Sequence, residues 1–244
     1  YTTGNTLSLH DALPICRARG TRPEGALTHR PLSLPFNGAG ATLRPMDELP
    51  ASTPPRVICF GAAHWDVVAQ PRPGARGRDA PGVARRFAGG VALNVAMGLA
   101  AAGLAAALVS AVGDDEEGRQ LAAALAEAGV DASGVLAYSG APTGRYVAIE
   151  RADGELLAAV ADGRAIDAML PEHLALSGLP GAEAWFLDAN LPPPVIRAVA
   201  HAPGRPPLFA DAVSEEKAAR LRDALPMLDT VYCNRAEAEA ICAT

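Results

Sequence analysis

From Arg56 onward the chain alternates between short apolar runs with strand character and Ala- and Leu-rich stretches with helical spacing. That alternation restricts it to an α/β fold with a mainly parallel sheet and right-handed crossovers. Residues 57–60, 106–112, 130–131 with 135–138, 184–187, 207–210 and 230–233 read as strands. Residues 91–102, 119–128, the stretch after Pro192-Pro193-Pro194, and 215–225 read as helices, with Gly103 and Gly129 as their stops. Arg151-Ala152-Asp153-Gly154 separates two further strand-like runs and carries an Asp-Gly hairpin signal. Between residues 67 and 87 lies an excursion rich in Pro, Gly and Arg.

Half of the 244 residues are apolar, enough for a sizeable core. The most apolar stretch, residues 91–112, is interrupted by Asn94, Gly98, Gly103 and Ser110, so no membrane span is expected. A formal charge of −6 with scattered arginines gives no basic stripe, and nucleic acid is not an expected partner. Cys16, Cys59, Cys233 and Cys242 form no CxxC pair and no disulfide framework, which fits reduced thiols and a cytoplasmic location. The sequence has one lysine, Lys217, and no GxGxxG after the first strand, GxxxxGK[ST], GxSxG or HExxH. Dinucleotide, P-loop, serine-hydrolase and zincin chemistry therefore lack their signatures.

Residues 1–45 show neither helical nor strand periodicity and are expected to be a non-native or disordered leader, with Met46 as the natural start. Residues 46–244 are then expected to be the N-terminal portion of one domain, since Ile241-Cys242-Ala243-Thr244 breaks off just after a helix begins.

Four short segments could carry chemistry. Gly89-Gly90 opens an Ala-rich helix with Asn94 in its first turn, a geometry that brings a ligand close to bare backbone and helix N–H groups; a plain strand-to-helix turn is the competing reading. Asp66 follows the first strand, at the edge where open α/β sheets bind ligands, and its carboxylate could accept from sugar hydroxyls or only form a turn. Gly113-Asp114-Asp115-Glu116-Glu117-Gly118 reads as an acidic helix N-terminus. Asn234-Arg235-Ala236-Glu237 places Asn and Glu three apart on one helical face, suited either to a hydrated Mg²⁺ with phosphates or to a capping box.

Taken in order, Gly61…Asp66, Gly89-Gly90…Asn94, Gly113-Asp114-Asp115…Gly118, Thr143-Gly144 and Asn234-Arg235-Ala236-Glu237 resemble the ribokinase-like (PfkB) carbohydrate kinases. The resemblance implies a three-layer α/β sandwich, incomplete at its C-terminal end, with a small β lid from about 67–88 and 145–160. It implies ATP-dependent phosphorylation of a sugar or nucleoside hydroxyl with Mg²⁺. Asp66, Gly89, Gly90, Asn94 and Asn190 would bind the substrate, Asn234 and Glu237 the ATP phosphates, and Glu237 the metal. A homodimer through the lid is also implied.

Leu156-Leu157-Ala158-Ala159-Val160-Ala161-Asp162, Leu187-Asp188-Ala189-Asn190 and Ala210-Asp211-Ala212-Val213-Ser214 are similar to the family's pseudouridine-kinase branch. His64-Trp65 departs from the usual Asn and aliphatic residue, and Ala212 from a common proline. The family's Gly-Ala-Gly-Asp turn, whose aspartate is the general base and whose N–H groups form an anion hole, is absent from these residues. A polypeptide of this sequence is therefore expected to be inactive. The alternative is a non-catalytic nucleoside- or sugar-binding module on the same fold.

Overall fold

The computed structural model describes residues 43–45, 57–75, 79–174, 176, 179 and 181–243. Two sheets form. The larger runs in the order β1 (Leu43–Pro45), β6 (Val130–Tyr138), β5 (Ala106–Gly113), β2 (Val57–Phe60), β9 (Ala184–Asp188), β10 (Leu208–Asp211), β11 (Thr230–Tyr232). Its neighbours pair in parallel except β1, which lies antiparallel to β6. Strand β1 falls within the stretch expected to be a leader; residues 1–42 lie outside the described residues. The smaller sheet has the order β4 (Gly82–Gly89), β3 (His64–Pro71), β7 (Arg145–Glu150), β8 (Leu156–Asp162).

Side-chain alternation along β2 explains the layers. Ile58 and Phe60 join one core with Trp185, Leu187, Val195, Ile196 and Leu221, whereas Cys59 joins the other with Leu93, Leu108, Leu121 and Phe186. Helices α1 (Val91–Ala101) and α2 (Glu116–Glu127) cover the second of these faces. The first face is covered by α4 (Pro193–Ala200), α5 (Glu215–Ala218) and a 3₁₀ segment, Ala219–Met227. The result is a three-layer sandwich. All eight residues of β5 are buried, as a strand covered on both faces requires.

Three local expectations change. The helix expected over 215–225 stops being α-helical after Ala218 and tightens into 3₁₀ geometry; Pro226, inside that segment, can donate no backbone N–H. The two short runs at 130–131 and 135–138 form one continuous strand, with a register shift against β5 between Ala107 and Val109. Asp66, expected in a loop, lies within β3, because only Gly61–Ala63 separate β2 from β3 and pairing with β4 starts at His64↔Gly89. Helix α3 (Arg164–Asp167) follows β8, and α6 (Arg235–Cys242) follows β11.

Candidate functional site

Chain order places the site. From β2 the chain proceeds outward to β5 and β6, then returns to β9 on the other side of β2 and continues to β10 and β11. The carboxyl ends of β2 and β9 therefore flank a topological switch point, where open α/β sheets leave a crevice. Both connections that pass through the smaller sheet leave from this edge: β3 and β4 between β2 and α1, β7 and β8 between β6 and α3.

At the floor of the crevice lies Asp188, the last residue of β9 and fully buried. Its Oδ2 accepts from the backbone N–H groups of Ala62 (3.1 Å) and Ala92 (2.9 Å), and its Oδ1 from that of Asn190 (2.9 Å). One carboxyl thus joins the β2–β3 turn, the start of α1 and the exit from β9. Burial pushes Asp188 above the usual carboxylate range, against these hydrogen bonds. Gly61 makes room for it, since a Cβ there would stand 2.4 Å from the Asp188 carboxyl carbon.

Asp188 also serves α1 as a cap. The helix's own N-cap residue, Gly90, has no side chain to offer, so Ala92 N–H turns to Asp188 while Leu93 N–H reaches Ala62 O at 3.4 Å. The first-turn donors of Ala92 and Leu93 are consequently engaged within the protein, a correction to the picture of a helix N-terminus presenting free N–H groups. Gly90 is required for this approach. Its φ is 107°, and a Cβ would meet Ala62 O at 2.2 Å.

The Asp66 carboxyl lies against Gly89, where a Cβ would stand 2.3 Å from its Cγ. Asp66 Oδ1 is buried and accepts no hydrogen bond, although His64 Nε2 lies 3.0 Å away in a contact that lacks hydrogen-bond alignment. The side chain as a whole is 30% exposed, so the carboxylate is open on one side. That open side leaves the carboxylate able to accept from a hydroxyl donor. Phe87 and Tyr146 are the cross-strand neighbours of Asp66 in β4 and β7, on the same face of the sheet. Asn94 is exposed in the first turn of α1, its N–H bonded to Gly90 O at 2.9 Å.

Asn190 is 5% exposed, and its Oδ1 accepts from Lys217 Nζ. Arg220 Nη1 donates to Asn190 O at 2.8 Å. Burial pushes the Lys217 ammonium below its ordinary range, and Asp188 acts in the opposite direction. Lys217 is carried there by a strained turn. Val213 has φ 66°, the one positive φ among the described non-glycine residues, and its N–H donates to Asp211 Oδ1 at 2.8 Å. Ser214 then caps α5. Asp211, at the end of β10, is pushed up to about 6 by burial and by the neighbouring charges of Asp188 and Glu237.

Asn234 and Glu237 form a complete capping box on α6. Asn234 Oδ1 accepts from Glu237 N–H (2.9 Å), Glu237 Oε2 accepts from Asn234 N–H (2.8 Å), and Asn234 Nδ2 donates to Glu237 Oε1 (2.9 Å). Asn234 is exposed and Glu237 is half-buried. Among the described residues no three His, Cys, Asp or Glu side chains converge as a closed metal cage. A single half-buried carboxylate such as Glu237 suits a cation that keeps most of its water.

Asp115, in the acidic turn, is the N-cap of α2 and accepts from Gly118 N–H at 2.8 Å. It also holds the segment leading into β7, accepting from Thr143 N–H (2.8 Å) and Thr143 Oγ1 (2.5 Å). Burial works to raise its pKa, but the Thr143 and Gly118 hydrogen bonds prevail and hold it below the usual value. The structure therefore joins Asp66 to Gly89, Gly90 to Ala62, and Asn190 to Asp188 at one sheet edge. It sets Asn234 and Glu237 in their own cap, linked to the rest through the charge of Asp211. Sequence reasoning missed Asp188 and Asp211 as site residues, although each ends a parallel strand next to the switch point.

A three-layer sandwich with a small sheet at the switch point is the architecture of the ribokinase-fold kinases. Ribokinase from Cryptococcus neoformans var. grubii serotype A in complex with ADP shares this fold, with a TM-score of 0.63 at 22% identity over 78% of this chain and 60% of that one. The chain belongs to the pfkB family of carbohydrate kinases, whose sequence profile matches residues 55–244. It is 31% identical over 188 residues to pseudouridine kinase of Escherichia coli (strain K12), covering 76% of this chain and 60% of that protein. A carbohydrate kinase from Agrobacterium tumefaciens superposes with a TM-score of 0.69 at 29% identity, over 77% of this chain and 63% of that one. The chain thus spans about three fifths of the length of these relatives.

Proposed function

We propose that these residues form the substrate-binding part of an ATP-dependent kinase acting on a sugar or nucleoside hydroxyl, with pseudouridine as the first candidate. The observation that carries the reading is the Asp66 carboxylate, 30% exposed and set against the bare backbone of Gly89 at the switch point. In this reading the smaller sheet is the lid, Asp66 accepts from ligand hydroxyls, Gly89 and Gly90 let the ligand approach the backbone, and Asn94 and Asn190 line the pocket. Asn190 presents a polar group oriented by Lys217. Similarity to pseudouridine kinase supports the substrate class, and the ADP bound by the Cryptococcus ribokinase supports a nucleotide co-substrate.

In the transfer, the ligand's hydroxyl oxygen forms a bond to the γ-phosphorus of ATP as the bond to ADP breaks, and the hydroxyl proton passes to a base. Asn234 and Glu237 would stand near the phosphates, and Glu237 would hold a hydrated Mg²⁺ whose charge would neutralise the phosphate oxygens. The sequence holds no Gly-Ala-Gly-Asp turn to provide the base and anion hole. A polypeptide of these 244 residues binds the ligand and does not phosphorylate it.

The described residues contain no helix long and apolar enough to cross a membrane, and Cys59, Cys233 and Cys242 are unpaired. Val147, Ile149 and Val160 are exposed on the lid, and we assign that face to a second copy of the chain.

Calorimetric titration with pseudouridine, ribose, fructose and adenosine tests the site, with pseudouridine expected to bind tightest and heat-silent titrations of all four overturning the reading. Phosphate transfer from labelled ATP by this polypeptide would overturn its inactivity. The second reading, a non-catalytic binding module, is separated by sequencing the gene beyond the Thr244 codon: a Gly-Ala-Gly-Asp codon run supports the kinase, an immediate stop codon the module.

A further inference from the structure

Strand β3 presents its two faces to different tasks. Asp66 points towards Gly89, while the side chains on either side of it in the strand point the other way, towards α2. Trp65 Nε1 donates to Glu117 O at 3.1 Å, and its ring lies beneath Arg86, whose guanidinium carbon is 4.0 Å from the ring centroid. Arg145, the register partner of Trp65 in β7, donates from Nε and Nη2 to Glu117 Oε2 at 3.0 and 2.7 Å. The other carboxylate oxygen, Oε1, lies 3.6 Å from Arg86 Nη1, and Arg86 Nη2 donates to Gln120 Oε1 at 2.9 Å. One carboxylate on α2 thus receives a lid strand on each oxygen, and its own backbone carbonyl receives the strand between them.

A separate attachment holds the same sheet to the same helix. Asp115 grips Thr143 by its N–H and hydroxyl, two residues before Arg145. That attachment is a tether at one point. The Glu117 contacts are spread across β4, β3 and β7, so they fix the orientation of the sheet. Exposed ion pairs contribute little to global stability, yet a small misplacement of a binding group costs affinity.

We propose that Glu117 is a positioning residue for the ligand site: through Arg86 and Arg145 it sets the lid on α2 and thereby holds Asp66 over Gly89. The proposal rests on the reading of Asp66 as the acceptor of ligand hydroxyls.

Glu117→Gln and Arg145→Gln are the test variants, compared with wild type in two measurements. Without ligand, amide hydrogen exchange in β3, β4 and β7 rises about fivefold in Glu117→Gln, as expected for losing one partly exposed ion-pair cluster. The thermal midpoint stays within about 2 °C, because the core and the Asp115–Thr143 tether are untouched. With pseudouridine as probe, the Kd rises about fivefold, and the double variant is no weaker than Glu117→Gln alone, since both changes break the same contact. Unchanged lid exchange in both single variants overturns the proposal. Additive losses in the double variant also overturn it. Wild type that binds no pseudouridine, ribose or adenosine while lid exchange responds to Glu117→Gln would instead sink the assigned function and leave the lid contact standing.

Discussion

The Asp66 carboxyl occupies the space that a side chain at Gly89 would need, with only 2.3 Å between its Cγ and the position of a Cβ there. A side chain at position 89 therefore cannot be added without moving the acid. Gly89→Ala should weaken pseudouridine binding about tenfold or more by displacing Asp66, while far-UV circular dichroism stays that of the wild type. Calorimetry reads the first quantity, and an unchanged affinity would separate Asp66 from the ligand.

Removing Asp188 should be felt in stability. Asp188→Ala strips acceptors from the N–H groups of Ala62, Ala92 and Asn190 at once. Buried donors left without partners cost about 1–3 kcal/mol each, so a loss of about 3–5 kcal/mol is expected in urea unfolding. Asp188→Asn keeps one carbonyl oxygen for two of these donors and should lose about half as much.

Asp211 gives the fold a dependence on pH. Its pKa is raised to about 6 by burial and by the charges of Asp188 and Glu237, from an ordinary value of 3.8. A raised carboxyl favours the folded state while it is protonated, so this contribution is full below pH 4 and is lost as the pH climbs through 6. Relative to Asp211→Asn, the wild type should lose about 2 kcal/mol between pH 4 and pH 6.5, allowing for its solvent-facing side. Paired urea titrations at the two pH values measure this, and a difference that stays flat would show that Asp211 ionises freely.

The assigned lid pairing predicts association. Val160 is 70% exposed and stands in register with Val147, itself 38% exposed. Val160→Asp should convert a sedimenting dimer to monomer without lowering the thermal midpoint by more than about 2 °C, since no buried contact is lost. Wild type that sediments as a monomer at every concentration contradicts the pairing.

The parallel sheet was legible because its strands are buried on both faces and read as unbroken apolar runs, as in Ala106–Gly113. The smaller sheet was harder to see. Strand β4 carries Arg85 and Arg86 and is exposed along most of its length, and β8 is exposed at six of its seven positions, so neither shows the alternation that marks a half-buried strand. The Gly-Gly turn and Asp66 could be singled out from chain position alone. Their mutual contact could not, because it depends on a pairing register, His64↔Gly89, set by residues 25 apart. Asp188 ends the apolar run Trp185-Phe186-Leu187 and carried a signal of its own: a carboxylate there must be either hydrogen-bonded or functional. Asn234 and Glu237 show the opposite case, since the local capping box and the proposed phosphate contact use the same two residues.

Lys217, bonded to Asn190 at the floor of the crevice, has a further consequence as the sole lysine of the chain. A protease that cuts only after lysine has a single peptide bond to attack, that between Lys217 and Ala218, and Ala218 is fully buried at the end of α5. Cleavage into two defined pieces therefore clocks how often this one corner of the molecule comes apart, with no label introduced and no residue changed.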